Sequence, residues 1–224
     1  RVGQGVFVLC NEEKNAIHWN KQEKAILKPH YTTKEINRYL AESDNKYWIL
    51  YTKAIINKYI HDYPNVKLHL DQFQPIITSV NKPYGLHRTR EESIFVGSKI
   101  LSIRKCLRPS FTFVNFPCYV SRTFLIIKTH KVDLKYLVAL LNSRPIAFWL
   151  RHKGKLQGNN YQIDKEPLMQ IPIVLSSEKI QTVFGKIFDY VVYLTLNSHN
   201  ASFFENIIDA MVYELYFSDK IKAA

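Results

Sequence analysis

Beyond residue 174 this chain settles into a sustained helical hydrophobic period, and that limits the folds open to it. Ile180, Val183, Phe184, Ile187, Phe188, Val191 and Val192 recur at i, i+3, i+4, i+7 spacing. Phe203, Phe204, Ile207, Ile208, Met211, Val212, Leu215 and Tyr216 follow the same rule. Such spacing predicts two amphipathic helices, expected as an antiparallel hairpin. Ser202 with Glu205 three residues on reads as a capping box that starts the second. Before residue 174 the apolar runs are short, rich in β-branched and aromatic residues and separated by turn signals. The expected architecture is therefore α/β of the α+β kind: a mixed twisted sheet with flanking helices over residues 1–174, then a helical hairpin over residues 175–224 packed on it.

Strand signals fall at residues 2–9, where Gly3 and Gly5 allow close backbone approach, and at residues 46–52, 93–104, 111–116 and 118–128. Helices are predicted over residues 33–41, 65–73, 133–141 and 146–151, with Pro29 as a breaker and Ser143 as an N-cap ahead of Pro145. Residues 153–162 read as a polar, glycine-containing loop, and Ile171-Pro172-Ile173 as extended.

With 224 residues, 46% of them hydrophobic, the chain can bury a real core without disulfide support. No apolar run approaches the roughly 18 residues that span a bilayer, so no membrane partner is expected. Cys10, Cys106 and Cys118 are odd in number and lack C-x-x-C spacing, which fits a reducing, cytoplasmic setting. Neither an initiator Met nor a signal peptide is present, and the chain reads as a piece of a longer polypeptide.

The formal net charge is +12, and its distribution matters more than its size. Residues 81–165 carry 16 basic and 4 acidic side chains, so this stretch alone accounts for the whole excess. The flanking segments, at +3 and −3, cancel. Because these cations are interleaved with strand-like apolar runs, they belong to a folded surface that attracts polyanions, nucleic acid above all.

No catalytic or metal-ligating residue is assigned. Asn81-Lys82-Pro83-Tyr84 differs by one proline from the N-P-P-Y loop of amino-methyltransferases and lacks a cofactor motif ahead of it, so a turn is the better account. The eight histidines contain no H-E-x-x-H or H-x-H pair. Binding is better supported. Arg88 and Arg90, then Arg104, Lys105 and Arg108, stand near strand ends where guanidinium groups can hold phosphate or guanine. Lys99, Arg122, Lys153 and Lys155 extend the basic set. Gln157, Asn159 and Asn160 offer amides that complement adenine edges, and Tyr161 an aromatic face for stacking.

The order of motifs also carries a resemblance. Lys28-Pro29; Trp48-Ile49-Leu50-Tyr51-Thr52; Tyr63-Pro64-Asn65; Leu86-His87-Arg88-Thr89-Arg90-Glu91; Gly97-Ser98-Lys99-Ile100-Leu101 and Arg108-Pro109-Ser110-Phe111 come first. Leu141-Asn142-Ser143, Gly158-Asn159-Asn160-Tyr161-Gln162, Ile171-Pro172-Ile173 and Val212-Tyr213-Glu214-Leu215-Tyr216 follow. Together, over roughly residues 1–217, they resemble the C-terminal specificity domain of Taq-type adenine-N6 DNA methyltransferases and type IIG restriction-modification proteins. The chain also looks similar to one half of a type I restriction specificity subunit. The resemblance implies a target recognition domain that reads duplex DNA and positions it for an N-terminal methyltransferase domain of the same parent chain. It also implies that S-adenosylmethionine belongs to that catalytic domain, with none in this fragment, and that features shared across the family are framework or phosphate contacts more than base readers. Two other classes stay open from the residues: an enzyme acting on nucleic acid through an unrecognised site, and a protein-docking module built on the helical hairpin.

Overall fold

The computed structural model describes residues 5–222. Its elements, in chain order, begin with β1 (Val8–Cys10), α1 (Asn11–Asn15), α2 (Lys21–Ile26), β2 (Leu27–Tyr31), β3 (Tyr47–Leu50) and α3 (Pro64–Asp71). Five strands follow: β4 (Lys99–Ile103), β5 (Lys105–Cys106), β6 (Phe111–Val114), β7 (Tyr119–Val120) and β8 (Phe124–Ile127). Then come α4 (Leu134–Asn142), α5 (Arg144–Lys153), β9 (Lys155–Gln157), β10 (Asn160–Gln162), α6 (Lys165–Met169), α7 (Glu178–Leu196) and α8 (Ser202–Lys222). None of these helices is long and apolar enough to cross a membrane. The chain divides into two compact units: one takes residues up to 32, 43–96 and 117–120, the other 33–42, 97–116 and from 121 onward.

The first unit holds a four-stranded sheet in the order β1-β3-β2-β7, antiparallel except for the β2–β7 pair. Pro29 does not break the chain here but lies inside β2, opposite Trp48. Its missing N–H is tolerated because β7 pairs with β2 only from His30 onward, leaving Pro29 a single neighbouring strand. Leu9, Trp19, Leu50, Ile56, Ile60, Val66 and Leu70 form the core beneath. Beside it Phe95 stacks on Tyr119 at 4.6 Å, and Tyr51 meets Tyr119 edge-on at 5.1 Å.

A buried carboxylate joins α2 to α3. Asn20 caps α2 by accepting from the Glu23 N–H at 2.8 Å, and Glu23 accepts in return from the Asn20 N–H at 2.8 Å. The same carboxylate takes the N–H groups of Asn65 (2.7 Å) and Val66 (3.1 Å) in the first turn of α3, and the Asn65 side-chain amide at 2.9 Å. Burial alone would push the carboxyl up, but these donors outweigh it and hold Glu23 below the ordinary carboxylate range.

In the second unit β4 lies between β6 and β8, all antiparallel. Seven consecutive residues of α4, Tyr136 through Asn142, are buried, because β4 and β6 cover one side of the helix and α7 the other. Tyr136 meets Phe184 of α7 edge-on at 5.2 Å, and Phe188, Val191, Ile208 and Val212 continue the same core into α7 and α8. The two long helices therefore pack on α4 as the expected hairpin. Asn142 ends α4 by exchanging two hydrogen bonds with the Phe111 backbone, at 2.7 and 3.1 Å.

Three local expectations fail for tertiary reasons. Residues 33–41 form a turn with an isolated bridge between Ile36 and Ala41, not a helix. There Tyr39, at φ 69°, is buried against Phe188, and Arg38 is enclosed by Pro109 O (3.0 Å), Asn142 O (2.9 Å) and Glu205 (3.2 Å). Glu205 consequently closes no capping box. It faces Arg38 and Arg108, while Asn200 accepts from the Ser202 N–H at 2.8 Å. Residues 118–128 are two strands, β7 and β8, placed in different units. The expected strand at 2–9 begins outside the described residues and appears only as Val8–Cys10.

Two stability predictions follow from these contacts. Glu23→Gln should lower unfolding free energy by about 1–3 kcal/mol in urea at neutral pH, because an amide replaces a carboxylate among N–H donors. The Glu23 contribution in the native chain is complete above the ordinary carboxyl value and is lost as pH falls through the depressed one, so the variant should show the shallower acid dependence. Arg38→Ala leaves a largely buried Glu205 without its nearest cation and should cost about 3 kcal/mol or more, read as a lower unfolding midpoint.

Candidate nucleic-acid interface

The polar stretch at residues 153–162 is no loop but a β-ribbon. Gly154 ends α5 with its N–H on Leu150 O at 2.9 Å, and a Cβ there would stand 2.5 Å from that oxygen. Gly158, at φ +58°, takes the first position of a two-residue turn flanked by the Gln157–Asn160 pair. β10 then pairs on its far side with β5, giving the three-stranded order β5-β10-β9.

Register separates the two faces of this small sheet. Leu156, Tyr161 and Cys106 lie in one cross-strand row, and Tyr161 and Cys106 pack against the core of the second unit. The opposite face therefore carries Lys105, Gln162 and Lys155 in one row and the Gln157–Asn160 pair in the next. Every residue from 151 to 160 except Gly154 is exposed. From residue 134 to 163 the sequence contains no carboxylate, and the carboxylate that acts on Lys155 is that of Asp164, just past the ribbon.

At the ribbon's base lies a recess of about 290 Å³ lined by Arg104, Lys105, Arg122, Thr123 and Gln162. Asp164 anchors it from behind: Arg104 Nη2 donates to one carboxylate oxygen and Gln162 Nε2 to the other at 2.9 Å. The Arg104 bond, then that of Gln162, holds Asp164 below the ordinary carboxylate range, so the pair stays ionised at neutral pH. Two side chains of the recess are thus fixed in direction before any ligand arrives. Thr123 is a lining residue that sequence patterns did not single out, since a lone hydroxyl in a strand turn carries no local signal.

The structure sorts the sequence candidates by what already holds them. Lys99 is fully buried, and its ammonium donates to Gly97 O at 3.0 Å and Phe116 O at 2.7 Å, which takes it out of reach of a ligand. Arg90 lies over the Phe95 ring at 4.9 Å and donates to Val120 O, bracing the aromatic cluster of the first unit. Tyr161, half-buried, packs against the core of the second unit. Arg108 keeps a long contact to Glu205 at 3.4 Å, and Arg144 an ion pair with Asp209 at 3.0 Å. Lys105, Arg122, Lys153, Lys155, Gln157, Asn159 and Asn160 are all exposed on the second unit. Arg151 and His152, in the last turn of α5, are exposed immediately before the ribbon. Arg88, exposed at φ 58°, belongs to the first unit.

Asn81 uses its amide to hold Leu86 O at 2.7 Å, and Tyr84 donates to Asp71 at 2.8 Å, so residues 81–84 are a braced turn. Among the described residues no three His, Cys, Asp or Glu side chains are grouped to hold a metal ion.

Comparison with known proteins gives this geometry a family. Residues 28–173 match the TaqI-like C-terminal specificity domain. A chain named as a type II restriction enzyme and methyltransferase in Methanocaldococcus jannaschii is 24% identical over 195 residues, which are 80% of this chain and 15% of that one. The type II methyltransferase M.HincII of Haemophilus influenzae is 32% identical over 92 residues, 40% of this chain and 18% of that one. This chain thus spans less than a fifth of either relative's length. In fold it is similar to the type IIL restriction-modification enzyme MmeI, solved in complex with DNA, with a TM-score of 0.67 at 12% identity over 95% of this chain and 31% of that one. The chain belongs to the family of TaqI-like C-terminal specificity domains.

Proposed function

We propose that the chain is the target recognition module of an adenine-specific DNA methyltransferase in a restriction-modification system of the type IIG kind, binding duplex DNA for a catalytic domain outside this segment. In this reading the catalytic domain precedes the module in the parent polypeptide, holds S-adenosylmethionine and works in the cytoplasm. The observation that carries the proposal is the basic surface of the second unit, where Lys105, Arg122, Arg151, Lys153 and Lys155 are exposed together with a row of amides and residues 134–163 supply no carboxylate. Membership in the specificity-domain family supports DNA over other polyanions. The module's own part is to bind and orient: cations set its register on the phosphates, and polar side chains face the base edges. Arg88 is proposed as a phosphate contact from the first unit.

Fluorescence polarisation on duplex DNA tests this. Affinity should fall linearly on logarithmic axes as salt rises, losing about 10³–10⁵ between roughly 50 and 200 mM if six to ten phosphates are contacted. Lys105→Ala with Arg122→Ala should make that slope shallower by about 2. Arg90→Ala should instead lower the unfolding midpoint and leave the slope unchanged, since its guanidinium faces Phe95 and Val120 O. Binding that ignores salt, or no binding, would sink the proposal.

A further inference from the structure

Resting on that reading, we infer that the Gln157–Asn160 pair at the tip of the ribbon reads an adenine in the major groove while the recess at its base holds a backbone phosphate. Three observations combine. First, β9 and β10 are closed by a two-residue turn, and their tip, residues 157–160, extends as two strands past β5, which pairs with β10 only at Tyr161 and Gln162. The major groove of B-form DNA admits an element of this width. Second, Gln157 and Asn160 are directly opposite each other, exposed, on the polar face, and no described residue holds either amide. Asn160, although it stands in a motif of the family resemblance, therefore has no framework partner here, and Gln157 lies outside that motif. A carboxamide presents a donor and an acceptor side by side, which matches adenine N7 and the N6 amino group. The face carries no carboxylate to accept from cytosine N4, and its lysines lie in the next row inward.

Third, the recess places those amides. Lys105 and Gln162 belong both to the recess and to the polar face, so one surface runs from a cationic anchor to the amide pair. Asn160 is two strand residues from Gln162, about 7 Å along the ribbon. Arg104 and Gln162 are oriented by Asp164, leaving Lys105, Arg122 and Thr123 to close on a phosphate oxygen. A phosphate seated there leaves the tip directed at base edges. Opposite the amides, Tyr161 and Cys106 hold the ribbon to the core, so the pair is presented on a fixed support.

The experiment selects bound duplexes from a randomised DNA library with the native chain, with Gln157→Ala/Asn160→Ala, with Asn160→Asp and with Lys105→Ala/Arg122→Ala. The native chain should enrich a motif containing an adenine whose replacement by 7-deaza-adenine weakens binding roughly tenfold. The double alanine variant should keep the salt slope and lose preference at that one position. Asn160→Asp, unable to donate to N7, should lose it too. The Lys105/Arg122 variant should weaken binding uniformly and keep the motif. A motif unchanged in the amide variants overturns the inference, as does a uniform loss of affinity in them, which would make the pair a phosphate contact. A native chain that binds DNA with salt dependence but no base preference also overturns it while leaving DNA binding intact, and equal competition by duplex RNA, whose major groove is too deep and narrow for the ribbon, does the same. Absence of any DNA binding by the native chain is instead the failure of the underlying reading.

Discussion

The candidate interface depends on the ion pair between Arg104 and Asp164. Arg104 leaves the end of β4 and Asp164 follows β10, so the pair ties the ribbon's root to the strand that leads into β5. Gln162 shares the same carboxylate. Without Asp164, Arg104 would be a mobile cation at a strand end, and the recess would lose the group that orients two of its lining residues. Ion pairs this accessible contribute little to global stability. What this one sets is local geometry, which is what a binding surface needs before its ligand is present.

A second constraint is the competition between carboxylates and phosphates for the same arginines. Glu205, Asp209 and Asp164 on the second unit each occupy at least one guanidinium. The large positive excess therefore overstates what a polyanion can use. Arg38 serves as an internal strut between two backbone carbonyls, Lys99 does the same with an ammonium, and Arg90 spans the Phe95 ring and Val120 O. Several cations that stay outward, Arg151, Lys153 and Lys155, lie on α5 and the ribbon, where carboxylates are missing from the sequence for thirty residues, and Lys105 and Arg122 stand at the ribbon's base.

Much of the fold was legible in residue order. The periodicity of α7 and α8, the strands at 99–103 and 111–114, and helices α3 and α4 appear close to where local patterns place them. The failures share a cause. Residues 33–41 have helical composition, but their backbone is set by burying Tyr39 and enclosing Arg38 in the second unit. Glu205 has the spacing of a capping residue, yet Arg38 and Arg108 draw its carboxylate elsewhere. At residues 153–162 glycines and amides read as a loop because neither ribbon strand has an apolar alternation long enough to register, and only pairing with β5 makes it a sheet.

By itself the sequence determined the sustained helical period beyond residue 174, the confinement of positive charge to residues 81–165 and the ordered motifs of the specificity-domain family. These are properties of neighbours within a few positions or of sums over a segment. Only the tertiary structure decided which cations face outward, which amides share a face and where a recess forms. The physical reason is separation along the chain: Arg38 meets Glu205 across 167 residues and Arg104 meets Asp164 across 60. No local pattern encodes such pairings, because they are set by the burial of apolar surface that brings distant strands and helices together.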